Sequence, residues 1–479
     1  MKQSLLYLFL AGSLLLASCT KNFNSVYSDP EALKNTAAGL FLNDILYDGV
    51  NAGLYEALNV NNELTQTTVN QTETVEIHRY IFKTSVFDYS WNTYYPILNN
   101  VKDMRAAAKR DKQPNEEAVS LVLWAWLYEN LLDTYGDLPY DQALQGYPNF
   151  QLQNQFNRQD YVYQDLVNKL DTANNLFNTA VTLESGSDYL YTATDTTGGY
   201  KTIKWKKLAN TLRLRLLMRV ASKSSDARAQ INIILSNPTK YPLMASNAET
   251  ATLRYSGVAP FVNPYATART IDWNGSRSMT QFFINNLKSW NDPRMPIWCT
   301  TTSGQYVGLP SGFARSETDS IAAIPASTLT TGLASSSLMG QIMQYAELQF
   351  IIAEAIQKGY TQGNAQTYYE AGVKAAIEYW GATMPSDFLT RPGVKYDGTL
   401  QQLMLQKYYG LFFNDMQQWA EIRRTGFPVL PRGDATVGKT YPTRLQYPLL
   451  LQTANAANYK QAVINMGGDS TTTKLWWEQ

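Results

Sequence analysis

The sequence predicts a mainly α fold: a scaffold of paired helices with irregular, loop-rich inserts and a few short strands. Three observations carry this expectation. Long stretches keep apolar residues at the i, i+3, i+4 spacing of one helix face. These stretches come in neighbouring pairs separated by short Gly-containing breaks. Between the helical blocks, residues 237–277 and 299–337 are rich in Ser, Thr, Gly and Pro, which interrupt helices and favour turns.

The chain opens on one charge, Lys2, followed by an uncharged run from Ser4 to Ser18, SLLYLFLAGSLLLAS. A positive start, an apolar stretch of about 7–15 residues and small residues at its end mark a secretory leader. A membrane-spanning helix needs about 20 apolar residues, more than this run offers before polar Lys21 and Asn22. Leu16-Ala17-Ser18-Cys19 resembles the bacterial lipobox, which implies cleavage before Cys19 and acylation of its sulfur and new amino terminus. Several acyl chains, at ~0.8 kcal/mol per buried methylene, hold a protein on a membrane. Residues 1–18 are then the leader and 19–30 a lipidated tether. Cys299, the other of the 2 cysteines, is left without a disulfide partner and is expected as a buried thiol.

Downstream, His78 sits in ETVEIHRYIF among apolar Val75, Ile77 and Ile81, and reads as a structural residue. A helix is expected over 91–110, with Tyr89, Trp91, Tyr94 and Tyr95 crowding its start. Glu116 to Asp133 opens with acids, which suits a helix N-terminus, and stops at Tyr135-Gly136 with Pro139 beyond. It is apolar nearly all round, so it predicts a buried helix. Lys204 to Ser222 is amphipathic, with Leu208, Leu212, Leu216 and Val220 at i+4 spacing, and Asp226 to Leu235 follows as its hairpin partner. Met339 to Lys358 and Ala365 to Trp380 form a second pair, broken by Gly359 and Gly363. One long helix is expected from Leu400 to Arg424, with Leu400, Met404, Tyr408, Phe412, Met416 and Trp419 as its inward stripe. Paired helices of this size resemble tetratricopeptide units. The expected layout is one domain over 31–479, its scaffold at about 31–236 and 338–479 and its irregular insert at about 237–337.

Lys+Arg and Asp+Glu both number 40, so the formal net charge is zero, which argues against a nucleic-acid partner, since that would demand a basic face. Tyr contributes 32 residues and Trp 11, while charged residues make up only 17%. Both aromatics offer an apolar face with a polar handle, suited to wet interfaces and sugar stacking as well as to cores. The single histidine excludes His-cluster metal sites and leaves His-dependent nucleophilic catalysis only His78. No metal or cofactor is expected. A glycosidase needs just two carboxylates about 5–9.5 Å apart, so a lipid-anchored glycoside hydrolase is the competing reading. Asp133, Asp137, Glu347 and Glu354 are candidates whose plainer roles are capping and ion pairing. GDATVGKT, Gly433 to Thr440, formally matches a phosphate-binding P-loop. That motif works only where a helix begins at its Gly-Lys-Thr. Pro442 and Pro448 follow, without helical periodicity, so a Gly-rich surface loop is expected.

Several segments, in order, resemble the SusD/RagB family of outer-membrane nutrient-binding lipoproteins, and more closely its SusD-like branch. After the lipobox come WNTYYPILNNV (91–101), LLDTYGDLPYDQAL (131–144), YPLMASNAETATLRY (241–255) and NDPR (Asn291 to Arg294). QIMQYAELQFIIAEA (341–355), YYEAGVKAAIEYWG (368–381), QQWAEIRRTGFP (417–428), RLQYP (444–448) and LWWEQ (475–479) complete the set. The resemblance implies a tetratricopeptide-like scaffold with a ligand-facing insert, tethered by lipid to the outside of the outer membrane. It also implies a non-catalytic lid on a SusC-like, TonB-dependent transporter that receives glycans or, in some branches, peptides. One departure is that Thr20-Lys21-Asn22-Phe23 has none of the acidic residues that often follow the lipidated cysteine of surface-exposed members. The family places a stacking aromatic near the start of the 91–110 helix in some glycan binders, which makes Tyr89, Trp91 and Asn92 candidate ligand contacts. In the insert, Tyr265, Arg269, Asp272, Trp273, Asn274 and Tyr306 offer the same chemistry: flat rings for sugar C–H faces, and polar groups for hydroxyls. Trp380, Trp419, Trp476 and Trp477 fall in scaffold motifs and are expected in the core.

Overall fold

Apolar stripes at helical spacing fold here into pairs that pack against one another largely in chain order. The computed structural model describes residues 36–72, 74–145, 152–183, 188–191 and 202–479; the leader, Cys19 and the tether lie outside them. Helix α1 (Gly39–Glu56) runs on through a wider π turn, Ala57–Asn61, and a short strand β1 (Thr68–Asn70) follows. Helix α2 (Thr84–Arg110) packs on both α1 and α3 (Pro114–Tyr135). Pro114 in the first turn and Glu116 and Glu117 behind it set the start of α3. Gly136 closes it at a φ of +84°, where a Cβ would also strike Met466 and Leu475. Strands β2 (Leu138–Pro139) and β3 (Phe156–Asn157) lead to α4 (Gln159–Leu176), which packs between α3 and α5 (Thr202–Val220). The hairpin partner α6 (Ser225–Ser236) follows, its N-cap Ser224 accepting from Ala227 N.

Helix α5 is buried on nearly all faces, where the sequence suggests an amphipathic helix. Its arginines go inside because acids meet them there. Arg215 lies 2.6 Å from Glu347 and 3.4 Å from Glu129, and Arg219 lies 3.1 Å from Asp133 and 2.7 Å from Glu421.

The insert is more ordered than expected. Strand β4 (Ala251–Leu253), a single helical turn α7 (Thr270–Trp273), strand β5 (Arg277–Met279) and helix α8 (Gln281–Trp290) run through it. Strand β5 pairs antiparallel with β1, Thr68 opposite Met279, and so ties the insert to the segment that follows α1. The start of the expected 339–358 helix is instead strand β6 (Gly340–Met343), antiparallel to β4, and helix α9 (Tyr345–Gln357) begins only after it. All four β6 residues are buried, and so short a fully buried run carries no period that separates strand from helix. Helix α10 (Ala365–Tyr379) matches expectation closely. The long 400–424 helix divides into α11 (Leu400–Gly410) and α12 (Gln417–Thr425), with Phe413 and Asp415 at positive φ of 62° and 50° in the break.

One apolar cluster runs from Ala38 to Trp477 and contains Trp380, Trp419 and Trp477, with Trp476 packed at its edge. Cys299 is a buried free thiol. His78 is 2% exposed; its Nδ1 accepts from Gly312 N at 3.1 Å, and burial, then nearby Arg79, push its pKa down to about 3. The Gly433–Thr440 stretch forms turns and no helix; Lys439 donates to the Arg79 carbonyl at 3.2 Å. No helix among the described residues is long and apolar enough to cross a membrane.

Candidate functional site

Helices α1 and α2 lie against each other and present a shared surface toward the insert. On α1, Asp48, Asn51, Ala52 and Tyr55 recur at i, i+3, i+4 and i+7, and on α2, Tyr89, Thr93, Pro96 and Ile97 recur at i, i+4, i+7 and i+8. With Pro264 and Tyr265 of the insert they line an open pocket of about 410 Å³. Pro96 lies inside α2, so the Asn92 carbonyl loses its usual intrahelical donor at this point.

The Tyr55 and Tyr89 rings stack, centroids 4.0 Å apart and planes 23° from parallel. Tyr55 remains 41% exposed. Tyr265 completes the aromatic wall: its hydroxyl bonds Asn59, and its ring leans on Trp273 at 5.2 Å. Burial raises the pKa of both Tyr89 and Tyr265, so their hydroxyls stay protonated and can donate.

Behind the stack lies a second, smaller cavity of about 40 Å³, also bordered by Tyr55 and Tyr89 and by Glu56, Asn59, Ser85, Ser90 and Met416. Glu56 is 2% exposed; it accepts from the Ser90 hydroxyl and from the Tyr94 hydroxyl at 2.7 Å, and it hydrogen-bonds Asp415. Burial first, and repulsion between the two acids second, push the Glu56 carboxyl well above its ordinary range. Asp415 also rises through burial, but Glu56, the Met416 amide and Arg215 draw it back. A hydrogen bond between two carboxyl groups requires a proton, which the pair shares.

The sequence candidates separate into two groups. Tyr89 and Tyr265 meet in the pocket. Trp91 points elsewhere, because two residues advance a helix by about 200°. Its ring packs among Tyr95, Tyr135, Phe156 and Tyr447, with centroids 5.0, 5.4, 6.0 and 6.0 Å away. Asn92 is exposed outside the pocket lining. Trp273 corrects the expectation of a loop-borne stacking ring: it is 1% exposed, stacked on Phe413 at 5.7 Å, and its indole N–H donates to the Thr330 carbonyl at 3.0 Å. It supports Tyr265 from behind. Asn274 donates to the Leu329 carbonyl at 3.0 Å, holding the same corner. Arg269 and Asp272 pair with each other at 2.7 Å on the surface, away from the pocket lining. Tyr306 is half-buried, also outside the lining and close to Cys299.

Tyr55, Asp48, Asn51 and Thr93 were not among the sequence candidates; their only signal is the helical spacing of two short polar-aromatic runs. The carboxylates that stood as catalytic candidates have structural partners. Asp133 accepts from Tyr163 and faces Arg219, and Asp137 accepts from Gln159 N at 2.9 Å. Glu347 pairs with Arg215 and Glu354 with Arg424, each at 2.6 Å.

Residues 30–448 match the SusD-like family described as starch-binding and associating with the outer membrane. No curated protein matches the chain. Among solved structures, a SusD homologue from Bacteroides fragilis superposes with a TM-score of 0.77 at 24% identity, covering 93% of this chain and 100% of that one. A chitin-binding protein gives 0.75 at 25% identity, over 92% and 99% of the two chains. A chitin-binding SusD homologue from Flavobacterium johnsoniae gives 0.74 at 22% identity, over 92% and 98%. With the helical scaffold, the antiparallel β4–β6 seam and a match over nearly its whole length, the chain belongs to the SusD-like family.

Proposed function

We propose that the protein captures a glycan at the outer membrane and delivers it to a SusC-like, TonB-dependent transporter, held on the membrane by lipid at Cys19. Residues 1–18 would be the leader, 19–30 the tether and 31–479 one folded domain. The observation that carries the reading is the stacked Tyr55–Tyr89 pair which, with Tyr265, borders an open pocket of about 410 Å³. Such a volume suits small-ligand sites, which run from about 300 to 1,000 Å³. Sugar rings present apolar C–H faces to tyrosine, while Asn51, Thr93 and Asp48 are placed to exchange hydrogen bonds with hydroxyls. The chitin-binding relatives favour a glycan over a peptide. Tyr89 and Tyr265 are the direct contacts among the sequence candidates, and Trp273 and Asn274 hold Tyr265 in place.

The chemistry is capture rather than hydrolysis. Glu56, which borders the smaller cavity behind the rings, is bonded to Ser90, Tyr94 and Asp415 instead of facing a reacting bond. Calorimetric titration with a panel of neutral oligosaccharides tests this reading. At least one binds, and Tyr55→Ala and Tyr89→Ala each weaken it about tenfold, ~1.4 kcal/mol. Unchanged affinity in both variants removes the site, and reducing ends released at enzyme-like rates overturn capture in favour of a lipid-anchored glycoside hydrolase. Labelling with palmitate that is lost in Cys19→Ala, and co-purification of a large β-barrel from detergent, test the anchor and the partner.

A further inference from the structure

The charges around the pocket form a one-sided set. Among the ten lining residues the only ionisable carboxylate is Asp48, and no Lys, Arg or His lines the pocket. The smaller cavity behind the stack adds another acid, Glu56, and again no base. The nearest arginines are committed elsewhere. Arg277 donates to the Asn59 side chain and to the Asp272 and Trp273 carbonyls, and Arg269 is paired with Asp272.

Asp48 differs from Glu56, the other acid of the two cavities. It makes no hydrogen bond or ion pair among the described residues, whereas Glu56 is bonded on both oxygens. One helical turn earlier stands Asp44, also exposed. Like charges at i, i+4 repel one another on a helix, and no hydrogen bond or ion pair among the described residues offsets that repulsion here. Partial burial first and Asp44 second hold the Asp48 carboxyl above its ordinary value. A bound cation would relieve both effects. The aromatic wall adds to the same preference, because tyrosine faces attract an ammonium as well as sugar C–H groups. Asp48 and Tyr55 are seven residues apart on one helix face, roughly 10 Å along the axis, so a ligand that engages both spans more than one sugar ring.

We propose that this pocket selects among glycans by charge, favouring oligosaccharides that carry free amino groups over neutral ones and rejecting uronates, with Asp48 as the residue that sets the preference. The inference rests on the glycan-capture reading above. The formal net charge of the chain is zero, so such a preference would arise locally at Asp48 rather than from the field of the whole protein.

The test is calorimetry on the folded chain with three oligosaccharide series of matched length: neutral, glucosamine-based and galacturonate-based, each at low and moderate salt. The glucosamine series binds about fivefold or more tighter than the neutral one at low salt, the advantage shrinks with added salt, and the galacturonate series binds weakest. In Asp48→Asn, an exposed and nearly isosteric change, the ratio of glucosamine to neutral affinity falls to within twofold of one. Equal binding of galacturonate and glucosamine series overturns the inference and leaves glycan capture standing, as does a ratio that persists in Asp48→Asn. A lysine-containing peptide that outcompetes every oligosaccharide overturns it too. Absence of binding by all three series sinks the capture reading itself.

Discussion

Glu63 lies just beyond the π turn that ends α1, is 1% exposed, and accepts from the Asn70 amide at 3.1 Å and the Thr68 hydroxyl at 3.5 Å. It thereby fastens β1 to the end of the helix that carries Tyr55. Burial raises its pKa from an ordinary 4.5 to about 7, against the opposing pull of the Asn70 amide and Arg277. The folded state therefore holds this proton more tightly than the unfolded chain. The contribution is most favourable below the unfolded value and is lost as pH rises from about 4.5 to about 7, by roughly 3 kcal/mol in all. Glu63→Gln removes that loss while keeping the side chain's size. Chemical denaturation of both proteins from pH 5 to pH 8 reads it: the variant gains on the wild type as pH rises. A gap that stays constant across this range refutes the assignment. The same scale explains the aromatic candidates. Tyr89 and Trp91 differ by two positions, and helix geometry sends one ring to the pocket and the other into the Tyr135–Tyr447 cluster.

The break between α11 and α12 shapes the element scale, because it delivers Phe413 to Trp273 and Asp415 to Glu56. Asp415 adopts a φ of 50° and its carboxylate accepts from the Met416 amide at 2.8 Å. Asp and Asn tolerate this left-handed conformation, whereas a β-branched residue pays steric strain of about 1–2 kcal/mol and loses the hydrogen bond as well. Asp415→Asn therefore costs under about 1 kcal/mol of unfolding free energy and Asp415→Val more than about 2. Equal losses in the two variants would show that the backbone conformation is not what the residue supplies. This break was illegible in the sequence because Tyr408, Phe412, Met416 and Trp419 keep helical phase across it and are buried on both sides. The paired helices were legible wherever one apolar stripe or a Gly stop marked them, as at α3 and α10. Strand β6 was not, since a fully buried four-residue run has no period to read. The same limit governed the site: Tyr89 and Tyr265 stood out as aromatics near predicted loops. Tyr55 and Asp48, lying on a helix that pattern alone did not single out, acquire meaning only when α1 and α2 are brought together.

At the scale of the whole molecule, a neutral chain keeps much of its charge inside. Arg215, Arg219, Lys407 and Arg424 meet Glu129, Asp133, Glu347, Glu354 and Glu421 in a connected buried network. It joins α3, α5, α9, α11 and α12, and through Arg215 its field reaches Asp415, the hydrogen-bond partner of Glu56. Buried ion pairs add little net stability over apolar replacements, yet removing one partner strands the other and costs about 3–5 kcal/mol. Arg215 shows this most clearly, since its guanidinium donates to both Glu347 oxygens, at 2.7 and 2.6 Å, and to the Ile342 carbonyl of β6 at 3.0 Å. Arg215→Met is expected to lower the unfolding free energy by that amount, because Glu347 is left buried without its guanidinium partner, with Asn414 donating to it at 3.1 Å. Adding Glu347→Met removes the stranded carboxyl group and recovers most of the loss, since Glu129 keeps Arg219 at 3.8 Å, so the two substitutions are strongly non-additive. Denaturant unfolding of the single and double variants measures the coupling. A double variant whose loss equals the sum of the two singles would mean that the network is a set of independent contacts rather than the frame that holds α9 and β6 against α5.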